Sequence, residues 1–417
     1  MKRLSVVDPE IAQWLEKELV REISTIELIA SENFVYQSVL EAQGSVLTNK
    51  YAEGYPGKRY HGGCEYIDHI ESIGIERAKK LFGAEHANIQ PHSGVNANLA
   101  AFMALIEPGD TIMGMNLQHG GHLSHGSRVS IVGKFYNAVD YGVDKDTELI
   151  DYDMVAELAK QHRPKLIIAG ASAYSREIDF ARFKDIADSV GAYFMVDMAH
   201  IAGLVAAKVI PSPIPHADFV TSSTTKTFCS ARSGMVFSKK EHAKLLDKGT
   251  FPGSLGSIHL HTMAAKAWSF KYAGREEFKR IMEQVVKNAK ALAKELENHG
   301  FRIVSGGTDN HLLVVDLRSK GITGKVFQEA LDSIGITVNK NMIPFDPENP
   351  SVTSGVRIGL TAITQRGLRE VEIVKIADIM NRIADNPEDD SVLNECKADA
   401  QKLISGFPLY PEGTFRE

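Results

Sequence analysis

Two residues of opposite charge each follow a strand-like apolar run. Asp197 ends the run AYFMV, and Lys226 follows the run DFV and the hydroxyl-rich stretch 221–225. In a parallel sheet, side chains just past the carboxyl ends of the strands meet at one edge, so we expect an anchored carboxylate and an amine nucleophile there. Read singly, each residue has a plainer interpretation, Asp197 as a cap or turn residue and Lys226 as a solvated surface lysine.

A third element is the pair Ser93-Gly94, which follows another strand-like run and begins the helical stretch ANLAAFMALIE. Free N–H groups and the positive end of the helix dipole bind phosphate at such a turn, although a plain N-cap would look the same. A phosphate cup, a carboxylate and a lysine together are what pyridoxal phosphate requires: the lysine forms a Schiff base, and the carboxylate keeps the pyridinium nitrogen protonated. The three elements together therefore predict a pyridoxal phosphate site.

Three histidines, His119, His122 and His125, recur at every third position and invite a metal-site interpretation. The glycines between them argue against a helix that would hold three ligands in a fixed geometry, and no cysteine cluster or HExxH pattern supports a metal. We therefore predict no metal site. An imidazole that stacks on a flat cofactor ring fits this glycine-rich loop better, and a metal hydrolase built on these histidines remains the alternative.

Arg357 lies in the strand-like segment VRIGL near the end of the chain. An arginine left unpaired inside a protein would be costly. Its planar guanidinium is suited to a bidentate grip on a carboxylate, so we expect Arg357 to hold the carboxylate of a substrate.

The elements that position these residues follow from hydrophobic periodicity. Asp8-Pro9-Glu10 begins an arm helix, and from about residue 70 to 275 helical stretches alternate with short apolar runs, which predicts an α/β fold with a mostly parallel sheet. A long amphipathic helix then ends at Gly300, and further strands and helices predict a smaller C-terminal α/β unit. The predicted divisions are an arm over 1–30, a cofactor-binding large domain over 31–279 and a small domain over 280–417.

Composition narrows the class of protein. The 417 residues are 43% hydrophobic and 24% charged, with 47 basic against 53 acidic residues, so neither disorder nor a concentrated basic surface for nucleic acid is indicated. No apolar run is long enough for a membrane span. Cys64, Cys229 and Cys396 are too few and too scattered for a disulfide framework. We expect a cytoplasmic protein that binds small molecules.

The motifs resemble those of serine hydroxymethyltransferases over nearly the whole chain. The matching stretches are LIASENF, LTNKYAEGYPGKRYHGG, QPHSG, GMNLQHGGHLSHG, VDMAHIAGLVAA, VSGGTDNHL, ITVNKN and TSGVRIG. The resemblance implies a fold type I pyridoxal phosphate enzyme of the aminotransferase-like architecture. It also implies a homodimer or tetramer whose active sites are shared between subunits, with tetrahydrofolate as the cosubstrate that carries one carbon between serine and glycine.

Residue by residue, the resemblance implies three sets of contacts. Cofactor contacts fall on Ser93, Gly94, His122, Asp197, His200, Lys226 and Gly256, the last lent by a neighbouring subunit. Amino-acid and folate contacts fall on Ser31, Arg357, Glu53, Tyr60, Leu117, Gly121, Leu123 and Asn341. Glu53 is also the acid–base residue, and Tyr51 reaches across the dimer.

Four departures from the family pattern lie near the expected cofactor: Thr225 in place of a histidine, His61 in place of a tyrosine, and Ser257 and Leu360 in altered loops. Thr225 and His61 adjoin the expected catalytic groups. These changes could open space beside Cα and admit 2-methylserine, which would return alanine, or His61 could take over the lost polar role and leave serine chemistry intact. A folate-independent threonine-type aldolase or transaldolase is the remaining alternative.

Overall fold

The computed structural model describes residues 4–410 and has an α/β architecture built around a seven-stranded sheet. In spatial order its strands are His86–Asn88, Gly234–Ser238, Phe219–Ser223, Tyr193–Asp197, Leu166–Ala169, Thr111–Met115 and Asn137–Tyr141. Six of the seven strands point in the same direction, five of them in one parallel-paired run, and only Gly234–Ser238 runs antiparallel to both of its neighbours. The prediction of a mostly parallel sheet is confirmed.

The short apolar runs HANIQ, DTIMGMN, KLIIAGAS, AYFMVDMAH, DFVTSST and GMVFS, which alternate with helical stretches between about residues 70 and 275, all contain strands of this sheet. Their interior residues are buried on both faces because helices cover the sheet on either side, which explains why they read as continuous apolar runs rather than alternating ones. The edge strand Asn137–Tyr141 was not predicted, since its sequence NAVDY is half polar and mostly exposed. Asp197 pairs in register with Thr221, which brings the ends of two central strands together.

The C-terminal unit contains a four-stranded antiparallel sheet. Its strands, in spatial order, are Arg302–Ile303, Leu312–Asp316, Gly355–Gly359 and Asn339–Asn341. Helices pack on it through buried apolar side chains and form a core separate from that of the large sheet. Strands and helices were both predicted here, whereas the antiparallel direction of the strands was not.

The arm helix Pro9–Ser24 begins where the sequence predicts, with Asp8 as its N-cap and a hydrogen bond from Ile11 N to Asp8 Oδ1 of 3.1 Å. After it, Ile26–Glu27 pairs in parallel with Ile336–Thr337, and Ile26 is fully buried in the core of the C-terminal unit. The three domain divisions stay a prediction, and their first three and last seven residues lie outside the described chain.

The remaining helices connect the strands and cover the sheets. They are Leu4–Val7, Gln37–Gln43, Glu65–Phe82, Gly94–Leu105, Ile131–Phe135, Tyr152–His162, Phe180–Val190, Ala202–Ala206, Ala243–Lys248, Leu260–Ala273, Glu276–Asn298, Gly324–Ser333, Thr361–Gln365, Glu370–Asp385 and Asp390–Ser405. Within residues 4–410, none of the helices combines the length and the apolar character that crossing a bilayer demands.

Candidate active site

The carboxylate of Asp197 is held in place by three donors at the end of its strand. Oδ2 accepts from Asn98 Nδ2 at 2.9 Å and from His125 Nε2 at 3.0 Å, and Oδ1 accepts from the backbone N–H of Ala199 at 3.0 Å. Burial by itself would raise the pKa of Asp197, but the hydrogen bond from His125 and nearby positive charge outweigh it and hold the pKa well below its usual range. Asp197 is therefore a fixed negative charge at this edge of the sheet.

Lys226 lies at the same edge, three residues after the strand Phe219–Ser223 ends. Its amine has no hydrogen-bond acceptor within the described chain, although its charge interacts with that of Asp197. Burial lowers the pKa of Lys226 to about 8, an effect that Asp197 only partly offsets. An unpaired amine with a lowered pKa is a better nucleophile, because a larger fraction of it is neutral near physiological pH than in an ordinary lysine.

Ser93 and Gly94 form the start of the helix Gly94–Leu105, as the sequence predicts. Ser93 Oγ accepts from Asn96 N at 3.2 Å, and across residues 4–410 no acceptor is bound to the N–H groups of Gly94 and Val95. A Cβ on Gly94 would lie 3.4 Å from Cβ of Ser223, so this helix end packs directly on the strand that precedes Lys226. Free donors at a helix N-terminus are suited to a phosphate group.

Arg357 enters the site from the C-terminal sheet. Its Nη1 donates to the carbonyl of Ser172 at 2.7 Å and its Nε to Asn339 Oδ1 at 3.0 Å, and it has no carboxylate partner in the part of the chain that the structure describes. Burial lowers the pKa of Arg357 to about 10. The hydroxyl of Ser31 makes no hydrogen bond with any described residue. Ser31 lies near Arg357 because the preceding residue, Ala30, packs against Gly359, two positions after Arg357. An arginine with neutral partners only is ready to bind an anion.

His122 lies beside Asp197 and Lys226 and is separated from His119. Burial lowers the pKa of His122 to about 4, and its Nδ1 is 2.7 Å from Ser124 Oγ. His119 instead accepts a hydrogen bond from Val143 N at 3.2 Å, so the three histidines of the metal interpretation do not converge.

Ligand atoms of His122, His125 and Asp197 do lie within 4.8 Å of one another. His125 Nε2, however, faces the carboxylate of Asp197, and a carboxylate can only accept a hydrogen bond. That nitrogen therefore carries a proton and has no lone pair for a metal. The arrangement of these three side chains therefore suits a protonated nitrogen of a cofactor ring, bound by Asp197, better than it suits a metal cation.

A second group of candidate residues lies together around Glu53 and Gly256. Tyr51 contacts His61 with ring centroids 5.0 Å apart, and a Cβ on Gly256 would lie 3.3 Å from Glu53 Oε1. The backbone of Ala52, between Tyr51 and Glu53, exchanges hydrogen bonds with the hydroxyl of Ser257. In residues 4–410, none of the hydrogen bonds or ring contacts of Tyr51, Glu53 or Gly256 involves Lys226, Asp197 or Arg357.

The remaining candidates differ in their exposure to solvent. Leu117, Leu123 and Tyr60 are exposed, whereas Gly121 packs tightly against the backbone of the preceding strand. Asn341 is half-buried in the C-terminal sheet. Thr225 Oγ1 lies 2.9 Å from Ser223 Oγ, and Leu360 is fully buried.

Several supporting residues were missed by the sequence reasoning. Asn98 connects Asp197 to Ser124, because its Nδ2 donates to Asp197 Oδ2 and also to Ser124 Oγ at 2.8 Å. Asn98 Oδ1 accepts a hydrogen bond from Thr221 Oγ1 at 2.5 Å. His311 contacts His200 from the C-terminal unit. The only available signal for Asn98 was its polarity within the apolar helix ANLAAFMAL.

Comparison with known families identifies the chain. The family model described as serine hydroxymethyltransferase matches residues 4–380, which is nearly the whole chain. The protein belongs to the serine hydroxymethyltransferase family. Its members are pyridoxal phosphate-dependent enzymes of fold type I that transfer one-carbon groups between serine and glycine, and the α/β fold described above agrees with that class. The resemblance predicted from the motifs is confirmed.

Proposed function

We propose that this protein binds pyridoxal phosphate at Lys226 and interconverts serine and glycine, with tetrahydrofolate as the one-carbon carrier. The observation that supports this most is the unpaired, low-pKa amine of Lys226 beside the fixed carboxylate of Asp197. The donor set fits the cofactor: Asp197 suits a protonated pyridine nitrogen, His122 a flat ring, and the N–H groups at Ser93-Gly94 a phosphate. His200 and Gly256 complete the proposed cofactor contacts.

Each side chain has a task in the proposed reaction. When bound, the cofactor supplies an electron sink next to Cα of the amino acid. Arg357 and Ser31 hold the substrate carboxylate and so orient the bonds at Cα. Glu53 manages the proton of the substrate hydroxyl as the hydroxymethyl group leaves. Tyr60, Leu117, Gly121, Leu123 and Asn341 form the proposed folate contacts.

Covalent attachment of pyridoxal phosphate to the apoprotein should depend on pH through the amine of Lys226. Only the neutral amine attacks an aldehyde, so the attachment rate should rise with pH through about 8 and level off above it. An unperturbed lysine would place this midpoint near 10.4, about the value in model peptides. Stopped-flow absorbance at a series of pH values measures the midpoint, and a midpoint above about 10 would contradict the lowered pKa.

Turnover with L-serine and tetrahydrofolate tests the proposed reaction directly. We expect glycine formation that requires folate, folate binding in isothermal titration when glycine is present, and a higher kcat/KM for L-serine than for 2-methylserine. Absence of folate binding would favour the aldolase or transaldolase alternative. A preference for 2-methylserine that reverses in the double variant Thr225→His, His61→Tyr would assign the altered specificity to these two positions.

Two features support an assembly of at least two chains. Within the described chain, Tyr51, Glu53 and Gly256 make no hydrogen bond or ring contact with Lys226, Asp197 or Arg357. We therefore infer that they serve the site of a neighbouring subunit. The arm helix also exposes Ile11, Trp14 and other apolar side chains, and patches of this kind mark protein–protein contacts.

We therefore expect sedimentation to show a dimer or tetramer. Trp14→Glu should shift the protein toward monomer and reduce turnover in parallel, because the shared sites separate. Gln13→Glu adds the same charge on an exposed neighbour and should change neither property. A wild-type monomer that turns over serine at full rate would disprove the shared site.

A further inference from the structure

Lys266 is a buried lysine that the proposed reaction does not use. Its side chain points into the interior, and the residue is only 1% exposed. Its Nζ donates to the carbonyl oxygens of Ile89 and Gly234, the latter at 3.2 Å, and to Ser233 Oγ at 2.8 Å. The amine therefore joins the end of the edge strand His86–Asn88 to the start of the neighbouring strand of the large sheet.

The three acceptors require the charged form of this amine. The carbonyls of Ile89 and Gly234 can only accept, and Ser233 Oγ uses its own proton to donate to the carbonyl of Pro91 at 2.7 Å. A neutral amine has two N–H groups and would turn its lone pair toward the third acceptor, whereas an ammonium has three N–H groups. Burial acts in the opposite direction and lowers the pKa of Lys266 to about 7. The acceptors thus hold a positive charge where burial disfavours it.

This buried charge has no carboxylate to balance it. Among residues 4–410, none of the acidic side chains forms an ion pair with Lys266, and the carboxylate whose charge acts on it, Glu71, is already paired with Arg59. A buried ion without a counter-ion is costly. A neutral donor such as a glutamine amide would tie the same carbonyls together without that cost, so the joining of two strands does not explain the charge.

The ammonium is separated from the turn at Ser93-Gly94 by a single residue. Gly234, whose carbonyl accepts from Lys266, packs so closely on this turn that a Cβ on Gly234 would lie 2.2 Å from the carbonyl oxygen of Ser93. Burial lowers the pKa of His92, the residue before the turn, and the charge of Lys266 contributes to this effect. The positive charge therefore acts at the place where the free N–H groups are suited to an anion.

We propose that Lys266 is a positioning residue for a phosphate group at Ser93-Gly94: it fixes this turn through Ser233 and Gly234 and supplies a buried positive charge next to it. The identity of the anion as a phosphate monoester rests on the proposed function. The N–H groups of the turn make the direct contacts, and the charge of Lys266 attracts the anion without touching it. A dianion gains more from this charge than a monoanion does, and a ligand without the phosphate loses this attraction.

Binding to the full-length protein freed of cofactor tests the proposal. Pyridoxamine phosphate and pyridoxamine differ only in the phosphate, and neither has an aldehyde that reacts with Lys226. The ratio of their dissociation constants, measured by isothermal titration, therefore reports phosphate recognition alone. We expect the preference for the phosphate compound to fall at least about 10-fold in Lys266→Met, as the loss of a buried unit charge near a dianion predicts. Lys266→Gln, which keeps N–H donors and removes the charge, should show the same loss.

Lys271→Met is the matched control, because Lys271 is an exposed residue of the same helix and its loss should leave the ratio unchanged. An unchanged ratio in Lys266→Gln would overturn this inference and leave the proposed function intact. Equal weakening of both compounds is such a result, since it would show a merely structural role. Wild type that binds neither compound would contradict the proposed function as well.

The charge itself is measurable in the wild-type protein without any variant of altered stability. Nitrogen-15 lysine labelling distinguishes an ammonium from a neutral amine, and the signal of Lys266 is the one that persists in Lys271→Met and shows a buried, slowly exchanging group. We expect the ammonium form at neutral pH in the cofactor-free protein. A neutral amine there would overturn the proposal, whatever the catalysed reaction.

Discussion

Lys226→Ala should abolish both the yellow, borohydride-reducible adduct and catalytic turnover. Without the amine, no group of the described site can bind an aldehyde covalently at this position, while Asp197, His122 and the N–H groups at Ser93-Gly94 remain to bind the cofactor without a covalent bond. We expect kcat to fall by at least about 10³-fold, a loss typical of removing a nucleophile. Absorbance before and after borohydride, with mass spectrometry of the reduced protein, measures the adduct.

Lys240→Ala is the matched control for this experiment. Lys240 follows the neighbouring strand Gly234–Ser238 but is exposed, so its loss should leave colour, adduct and turnover unchanged. Retention of a reducible adduct in Lys226→Ala would place the covalent attachment at another lysine. It would also remove the main support for the proposed site.

Arg357→Lys should weaken amino-acid binding strongly even though it keeps the positive charge. A lysine cannot reproduce the planar fork of donors that grips a carboxylate, and it also loses the hydrogen bonds to Ser172 and Asn339. A hydrogen bond to a charged group contributes about 1.5–3 kcal/mol, which corresponds to a rise in KM for serine of about 10- to 150-fold. Spectral titration with serine or glycine gives the affinity without turnover.

Arg280→Lys, on the exposed face of the long helix Glu276–Asn298, controls for a general effect of the exchange and should leave KM unchanged. Cofactor binding should also persist in Arg357→Lys, because Arg357 does not belong to the proposed cofactor contacts. An unchanged KM in Arg357→Lys would show that another group holds the carboxylate.

The local features of this chain were readable from sequence because they depend on neighbours along the chain. The apolar runs before Asp197 and Lys226 predict buried strands, and the Ser-Gly turn predicts a helix start. Once the strands are parallel, both residues must reach the same edge of the sheet, so their proximity follows from topology alone.

The supporting contacts were not readable because they depend on how distant segments meet. Asn98 reaches Asp197, and His311 reaches His200, only after helices and both sheets have packed together. The direction of the C-terminal strands likewise depends on connections that periodicity does not encode. That Tyr51, Glu53 and Gly256 make no hydrogen bond or ring contact with Lys226 within residues 4–410 likewise became visible only in the folded chain.

The pairing of Ile26–Glu27 with Ile336–Thr337 has a consequence for the order in which the chain folds. During synthesis, Ile26 emerges long before its partner strand and before most of the apolar residues that surround it in the native core. Ile26 and Glu27 must therefore stay unpaired while the large sheet forms, because closing the long loop to residues 336 and 337 is costly and slow. Docking of this short strand is thus a late event that requires residues 336 and 337 of the C-terminal unit. Only then can the segment around Ser31, proposed to hold substrate, come to lie beside the strand that carries Arg357.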